Sequence, residues 1–357
     1  MKKRILFILL AVVLAVSLGL IGCGEQEEEE EEPETITIGF NHIWPATAFQ
    51  QVEQFTRYFE MVEEETNGAY ELEIEWYPVG TLFGGADIFD GVAEGSVDAG
   101  CSVFAYTPGK FPTMLALSQC GVAPPASGQA GSMTVWEFYQ EYPDELEDVK
   151  VLYLFNTPPG WLHSVEQIDE LAEFQGADIR CTGATATGVE VLGGVPHAMA
   201  QGDTYAAVKA GDVVGSIAPA EVLVSYTQHE VFDYSTAVPF MYSASFFVII
   251  NQDFWDALPS DLQDAFDAVT EDAVEQAGQL WQYFEDEYID ECTTDYGHTF
   301  LELDPAEEDE WIALLADIGA DYAADLDALG LDGSAIVAEA GDIAAANNAK
   351  TWPEWTP

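Results

Sequence analysis

Residues 175–219 read QGADIRCTGATATGVEVLGGVPHAMAQGDTYAAVKAGDVVGSIAP, and this stretch decides how the fold is interpreted. A short apolar strand ends at Arg180 and is followed by a turn of small residues and a helical pattern. The chain contains 9 Lys and Arg against 65 Asp and Glu. In a chain with so few cations, each arginine is expected to have a specific structural or functional role. A guanidinium group holds a carboxylate through two parallel hydrogen bonds. Arg180 is therefore a candidate anion-binding residue, with a structural salt bridge between loops as the alternative.

The order of several short motifs in this stretch resembles the DctP-type solute-binding proteins of tripartite ATP-independent periplasmic (TRAP) transporters. In that family a Gly-x-Lys-[Ile/Val]-Arg strand precedes a Leu-Gly-[Gly/Ala]-x-Pro turn, a Met, a Tyr and an Ala-Leu-x-x-Gly-x-Val-Asp-Gly segment. The corresponding segments here are residues 176–180, 192–196, Met199, 205–208 and 211–215. The resemblance extends over roughly residues 37–268. It implies an α/β fold of two domains with a hinge, and a ligand held between the domains.

The N-terminus has the pattern of a bacterial export signal. A basic start and an apolar run at residues 5–20 lead to Leu-Ile-Gly-Cys, which ends at Cys23 and fits a lipobox. The run is short for a membrane span, so we predict that residues 1–22 are cleaved and that Cys23 carries the lipid anchor. The alternative is an uncleaved anchor helix. Eight of residues 23–34 are glutamate, which predicts a disordered tether that holds the protein outside the cytoplasmic membrane, in the periplasm or at the cell surface.

The charge of the chain is extreme. Its formal net charge is −56, and removal of three basic residues with the signal would bring it to −59. Such a chain repels phosphates, which excludes nucleic acid as a partner. With 48% hydrophobic and 12% aromatic residues, there is ample material for a core, so we predict a folded protein with an acidic surface. Salt would relieve the repulsion on that surface, which fits a halophilic organism with an acidic proteome.

The first hundred residues of the expected mature chain alternate between strand and helix patterns. Strands are predicted at residues 35–40, 70–77 and after Gly100, with helices at 47–65 and 85–94 between them. This alternation predicts a parallel α/β sheet. Later helices are predicted at residues 135–146 and 166–172, strands at 151–155, 231–238 and 245–251, and one long helix at 258–292.

The chain is predicted to cross between two domains more than once. Residues 156–161, which contain two prolines and a glycine, read as the first crossing. The first domain is assigned to residues 35–157 plus about 246–292. The second domain is assigned to about 158–245 plus 293–345.

The ligand residues are predicted from position and from the resemblance. Ligands of open α/β sheets lie at the carboxyl ends of strands, where Arg180 is placed, and a helix beginning at residues 182–185 would add N–H groups for an anion. When the sequence is matched to the family position by position, further ligand candidates come from four places. These are the segment after Asp98 in the first domain, the crossing at residues 156–161, the turn after Met199, and loops beside the expected site. These ligand candidates are Val103, Tyr106, Trp161, Gln201, Ala184, Trp44 and Tyr242. Each aromatic residue among them could equally pack in a core.

Two departures from the family pattern narrow the expected ligand. Asp178 replaces the usual Lys of the strand, and residues 214–219 lack the Glu or Asn that contacts ligand in relatives. With one arginine and no second polar contact, the site is expected to be apolar and aromatic-walled. A small or hydrophobic monocarboxylate fits such a site better than a dicarboxylate or a sialic acid.

Nothing in the sequence indicates a metal, a cofactor or catalysis. The five histidines show no pairing at i, i+3 or i+4. The cysteines of the mature chain besides Cys23, namely Cys101, Cys120, Cys181 and Cys292, lack C-x-x-C spacing. Neither a metal site nor a particular disulfide is therefore predicted. No nucleophile elbow, phosphate loop or dinucleotide fingerprint is present, which argues against an enzyme. We therefore predict a binding protein that delivers a small organic acid to the membrane subunits of a TRAP permease. The alternatives are a ligand-sensing protein of the same fold and an exported hydrolase.

Overall fold

Two mixed β-sheets organise the residues that the computed structural model describes, 33–107 and 109–355. The predicted signal peptide, Cys23 and all but the end of the predicted tether lie outside these residues. The strands are β1 (Glu34–His42), β2 (Tyr70–Tyr77), β3 (Ala99–Val103), β4 (Val149–Asn156), β5 (Trp161–Ser164), β6 (Asp178–Cys181), β7 (Val195–Ala198), β8 (Gly215–Ala218), β9 (Tyr234–Ala237), β10 (Ser245–Asn251) and β11 (Thr299–Leu301).

Helices cover these sheets. A π-helical turn at Gln50–Phe55 leads directly into the first α-helix, and short 3-10 turns at Phe104–Tyr106 and Gln201–Asp203 follow β3 and β7. The α-helices are α1 (Thr56–Glu65), α2 (Ile88–Ala93), α3 (Gly128–Glu141), α4 (Leu171–Phe174), α5 (Ala186–Val191), α6 (Thr204–Ala210), α7 (Glu221–Ser225), α8 (Gln252–Ala257), α9 (Ser260–Ala268), α10 (Thr270–Asp295), α11 (Pro305–Leu315), α12 (Ile318–Ala328) and α13 (Gly333–Asn348).

The first sheet has the strand order β2-β1-β3-β10-β4. β1 and β3 run parallel, whereas β10 lies antiparallel between β3 and β4. β10 is buried along its whole length and carries the chain back from the second sheet. The parallel pairing predicted from the first strands is found between β1 and β3, and the sheet is mixed because β10, which returns from the other sheet, enters in the opposite direction.

The second sheet has the order β11-β9-β5-β8-β6-β7. β6 pairs in parallel with both β7 and β8, and β5 is antiparallel to β8 and β9. The strand that carries Arg180 is thus an inner strand, covered on both edges. The two sheets with their helices confirm the predicted α/β class. The predicted domain boundaries remain a prediction.

Several predicted elements begin or end elsewhere in the structure. The third helix starts at Gly128 rather than residue 135, because the Ser127 side chain caps it by accepting from Ala130 N at 3.1 Å. The predicted single helix at 258–292 is two helices, α9 and α10, with a break at Val269. Next to the break, Thr270 Oγ1 lies 3.1 Å from the carbonyl oxygen of Phe266, a back-bond that bends helices.

Helix α10 packs against both halves of the molecule. It contacts α3 and β4 beside the first sheet, and α7 and β11 beside the second. Trp281, on this helix, is 1% exposed and packs edge-on against Trp44 and Phe49. No helix among the described residues is long and apolar enough to cross a membrane.

The four cysteines of the described residues are all buried free thiols. Cys101 lies in β3, Cys181 at the end of β6, and Cys292 on α10. Burial raises the pKa of every one of these thiols, to about 12 for Cys120 and Cys292. They therefore stay protonated and unreactive in the folded protein.

Apart from the buried Arg180, the few cations of the described residues lie on an acidic surface. Four of them pair with a carboxylate within 4 Å, namely Arg57, Lys110, Lys150 and Lys350. The chain has 65 acidic residues, so most surface carboxylates have no cation beside them.

Candidate functional site

Arg180 is buried and has no carboxylate partner. It is 1% exposed, and no Asp or Glu oxygen of the described residues lies within 4 Å of its guanidinium nitrogens. Its Nε and Nη2 donate to the Met199 carbonyl at 3.2 and 2.9 Å, and Nη1 donates to the Ile217 carbonyl at 3.3 Å. A guanidinium has five N–H donors, so two remain without an acceptor in the part of the chain described. The alternative interpretation, a salt bridge between loops, is therefore not what the structure shows.

Arg180 faces a small cavity with an empty volume of ≈ 360 Å³. The cavity lies at the carboxyl ends of β1 and β3 in the first sheet and of β6 and β8 in the second, as expected for α/β folds. Six of the predicted residues line it together: Trp44, Val103, Tyr106, Arg180, Gln201 and Tyr242.

Two predicted residues lie outside the cavity lining. The Trp161 indole turns away, donates from Nε1 to Glu285 Oε1 at 2.9 Å and packs edge-on against Phe300. Ala184 is buried in the turn before α5. That helix starts at Ala186, later than predicted, and Thr182 N donates to Thr185 Oγ1 at 3.1 Å. One N–H group of the expected anion-binding turn is therefore already occupied.

Two of the three tyrosines that line the cavity, Tyr106 and Tyr242, keep hydroxyl protons available. Tyr106 Oη accepts from the Gln201 N–H at 2.8 Å, and no described acceptor takes the Tyr106 proton. Tyr242 Oη has no hydrogen-bond partner among residues 33–107 and 109–355. Burial raises the pKa of Tyr242 above its usual value, so its phenol stays neutral. Gly85 and Gly160 make room for these rings, since a Cβ at either position would overlap Tyr106 or Tyr242.

One wall of the cavity is a stack of aromatic rings. Trp44 and Phe246 have ring centroids 5.2 Å apart, and Phe246 lies over Phe155 at 4.9 Å with an interplanar angle of 5°. Trp281 closes this cluster at 5.9 Å from Phe246. Such faces suit a flat apolar ligand body.

Sequence reasoning missed several lining residues, most importantly a carboxyl group. Glu221, in the first turn of α7, is 1% exposed, and its Oε1 accepts from Gln50 Nε2 at 2.8 Å. Burial raises the pKa of Glu221 to about 7. The expectation of an apolar, aromatic-walled site beside Arg180 therefore did not include this carboxyl group. The other lining residues that were not predicted are Ile43, Thr157, Thr182, Pro219, Val222, Tyr226, Phe246 and Trp281.

A second buried carboxyl fixes the position of Glu221. Glu285 on α10 accepts from the backbone N–H of Ala220 at 2.9 Å and of Glu221 at 3.1 Å, and also from Trp161. Burial raises the pKa of Glu285 to about 8. This carboxyl joins α10, the start of α7 and the start of β5 at one point.

The cavity is enclosed by hydrogen bonds between segments of the two sheets. Tyr226 donates to the Ile43 carbonyl at 2.8 Å, and the Gln201 N–H donates to Tyr106. The Gln50 to Glu221 bond is a third such contact. No group of three or more His, Cys, Asp or Glu side chains that could hold a metal ion occurs in the described part of the chain.

The two buried glutamates predict a pH dependence of stability. In the unfolded chain a glutamate ionises near pH 4.3, whereas in the folded protein Glu221 and Glu285 ionise near pH 7 and 8. Their contribution is complete below the unfolded pKa and is lost as pH rises through the folded values. We expect the melting temperature in molar salt to fall by about 5 °C or more between pH 5 and pH 8.5.

Glu285→Gln should flatten this dependence, whereas Glu190→Gln, at an exposed position on α5, should not. Thermal denaturation of the three proteins across the pH range measures the effect. The same slope in Glu285→Gln as in wild type would contradict this origin of the pH dependence.

The fold and the enclosed cavity define a solute-binding protein, and the comparisons name its family. The chain belongs to the DctP family, bacterial extracellular solute-binding protein, family 7, whose model matches residues 40–325. This confirms the resemblance to TRAP solute-binding proteins, a family of extracytoplasmic binding proteins. The chain is 24% identical over 299 residues, 79% of this chain and 85% of the relative, to the C4-dicarboxylate-binding periplasmic protein DctP of Rhodobacter capsulatus.

Solved structures share the fold over most of the chain. A marine metagenome TRAP solute-binding protein specific for aromatic acid ligands, crystallised with 3-hydroxybenzoate, matches with a TM-score of 0.82 at 27% identity, covering 88% of this chain and 99% of that one. A triple surface mutant of that protein was also solved with metahydroxyphenylacetate. A TRAP solute-binding protein from Rhodoferax ferrireducens, with copurified benzoate, matches with a TM-score of 0.82 at 23% identity, covering 87% and 98%.

Proposed function

We propose that this protein captures a small monocarboxylic acid in the cavity, with the carboxylate on Arg180. The observation that carries the proposal is the state of the Arg180 guanidinium, which is 1% exposed. Among the described residues it donates only to backbone carbonyls, and two of its five N–H donors have no acceptor. A buried charge without a counter-charge is strongly destabilising. A ligand carboxylate would supply both the charge and the acceptors. Tyr106 and Tyr242 add hydroxyl donors in the same cavity.

The cavity favours an aromatic ligand body. The cavity is narrow, and Trp44, Phe246 and Trp281 supply apolar ring faces for a flat ligand. A dicarboxylate would have one cation for two charges, with Glu221 nearby. The relative that binds 3-hydroxybenzoate, at 27% identity, supports an aromatic acid as the ligand class.

Ligand capture is proposed to serve transport. In this proposal two domains close around the acid, and the lipid-anchored protein delivers it to TRAP permease subunits without chemical change. A sensing protein of the same fold is the alternative. Genes for one small and one large membrane subunit beside this gene would support transport.

A thermal-shift screen of organic acids on the mature protein tests the binding step. A ligand at 100 times its dissociation constant stabilises the folded state by about 2.7 kcal/mol. We expect benzoate derivatives to raise the melting temperature and succinate to leave it unchanged. If no aromatic acid at millimolar concentration raises it, the proposal fails.

The lipid anchor has its own test. Cys23→Ser removes the thiol that would carry the diacylglyceryl group, so the variant expressed in a bacterium should shift from the membrane to the soluble fraction. Cys101→Ser, at a buried position in β3, is the matched control and should stay with the membrane. Unchanged membrane association of the Cys23→Ser protein would argue against the lipobox.

A further inference from the structure

We propose that Glu221 recognises a hydroxyl group on the ligand, so that the site prefers hydroxylated aromatic monocarboxylates over unsubstituted ones. This inference rests on the proposed function, since it assumes that an aromatic acid occupies the cavity. It adds a second polar contact, of different chemistry, to the Arg180 contact.

The first observation is that the Glu221 carboxyl is buried beside the cavity without a cation. Oε1 accepts from Gln50 Nε2 at 2.8 Å, the Ser225 hydroxyl on the same helix is a second donor to this carboxyl, and no described Lys, Arg or His nitrogen lies within 4 Å of either oxygen. The residue is 1% exposed and lines the cavity that Arg180 faces. A carboxylate can accept about four hydrogen bonds, so Glu221 keeps acceptor sites for a ligand group.

The second observation is that this carboxyl is held in position. Glu285 fixes the backbone of Glu221 by accepting its N–H at 3.1 Å and that of Ala220 at 2.9 Å. Gln50 begins the π-helical turn, a feature frequent at functional sites. The Gln50 amide nitrogen donates to Glu221, whereas Gln50 Oε1 is buried and has no hydrogen-bond partner among the described residues. Glu221 is therefore held in a fixed position in the cavity wall by residues of two other elements.

A hydroxyl is the ligand group that fits both forms of this carboxyl. Burial raises the pKa of Glu221 to about 7, so both forms are populated near neutral pH. A hydroxyl donates to the ionised form and accepts from the protonated form, because it is both a donor and an acceptor. A ring C–H offers this carboxyl no hydrogen bond, and a second ligand carboxylate is repelled by the ionised form.

Calorimetric titration of the wild-type mature protein at pH 7 in molar salt tests the inference with three probes of similar size. These probes are 3-hydroxybenzoate, benzoate and 3-fluorobenzoate. We expect 3-hydroxybenzoate to bind about ten- to a hundred-fold tighter than the other two, as for a hydrogen bond to a charged group. Glu221→Leu should reduce this preference to threefold or less, and Glu221→Gln, which keeps a carbonyl acceptor, should retain part of it.

Glu190→Leu removes one exposed carboxylate outside the cavity and should keep the full preference. Equal affinities of the three acids for wild type, or an unchanged preference in Glu221→Leu, would overturn the inference. If Glu221→Leu does not fold, the wild-type preference and its reduction in Glu221→Gln decide. If none of the acids binds folded wild type, the proposed function itself fails.

Discussion

Arg180→Ala is expected to weaken binding of 3-hydroxybenzoate by about thirty-fold to several thousand-fold. Truncating one partner of a buried charged pair costs about 2–5 kcal/mol, much of which is the cost of leaving the other charge unpaired. In this protein the unpaired group would be the ligand carboxylate inside a closed cavity. The loss should appear in calorimetric titration as a higher dissociation constant.

Arg180→Lys should recover only part of the affinity. The three guanidinium hydrogen bonds to the carbonyls of Met199 and Ile217 hold the plane of the group, and two N–H donors remain for the ligand. An ammonium group has three donors around a single nitrogen and does not reproduce this fork.

Arg57→Ala is the matched control, because Arg57 is only partly buried, lies outside the cavity lining and pairs with Glu53 at 2.9 Å within one helix turn. It should bind the acid as wild type does. Circular dichroism should show that Arg180→Ala keeps its fold. Wild-type affinity in Arg180→Ala would contradict the proposed contact between Arg180 and the ligand carboxylate. Loss of the fold in this variant would show that Arg180 has a structural role.

The melting temperature is expected to rise by about 10 °C or more between 0.1 M and 2 M salt. Each kcal/mol of stabilisation moves the melting temperature by only a few degrees in a chain of this size, so this rise corresponds to a gain of several kcal/mol. The mature chain would carry a formal charge of −59. The screening length falls from about 10 Å at 0.1 M to about 3 Å at 1 M, so repulsion between neighbouring carboxylates decreases. The four Lys and Arg ion pairs of the described residues cannot offset that repulsion.

Sodium chloride and sodium bromide should give similar rises, because screening depends on ionic strength. A rise in chloride alone would indicate exclusion of the salt from the protein surface. A flat response in both salts would contradict the halophilic interpretation.

The sequence predicted the longer strands correctly because their patterns are strong. The predicted ranges 70–77 and 245–251 coincide with β2 and β10. The missed strands β5, β7, β8 and β11 have three or four residues, and Pro196 and Gly215 interrupt the β pattern in two of them. In such short strands, pairing within the sheet outweighs local propensity.

The site was predicted where family motifs mark it, and missed elsewhere. Glu221 was overlooked because one glutamate among 65 acidic residues carries no signal by itself. The available signal was its context, since it stands between Pro219-Ala220 and the apolar run Val222-Leu223-Val224. An acidic residue in such a run is expected to be buried. Trp161 was expected in the site, but Glu285, distant in sequence, takes its indole N–H.

The buried thiols give this protein internal reporters of opening. Cys101 lies in the first sheet and Cys181 in the second, both without exposed surface. A thiol that is sealed from solvent and kept protonated reacts with an alkylating reagent only after the segment around it has opened. The alkylation rates at the two positions therefore report separately on the opening of each sheet, without any added label. Because Cys181 directly follows Arg180, its rate would show whether a bound acid closes that part of the second sheet.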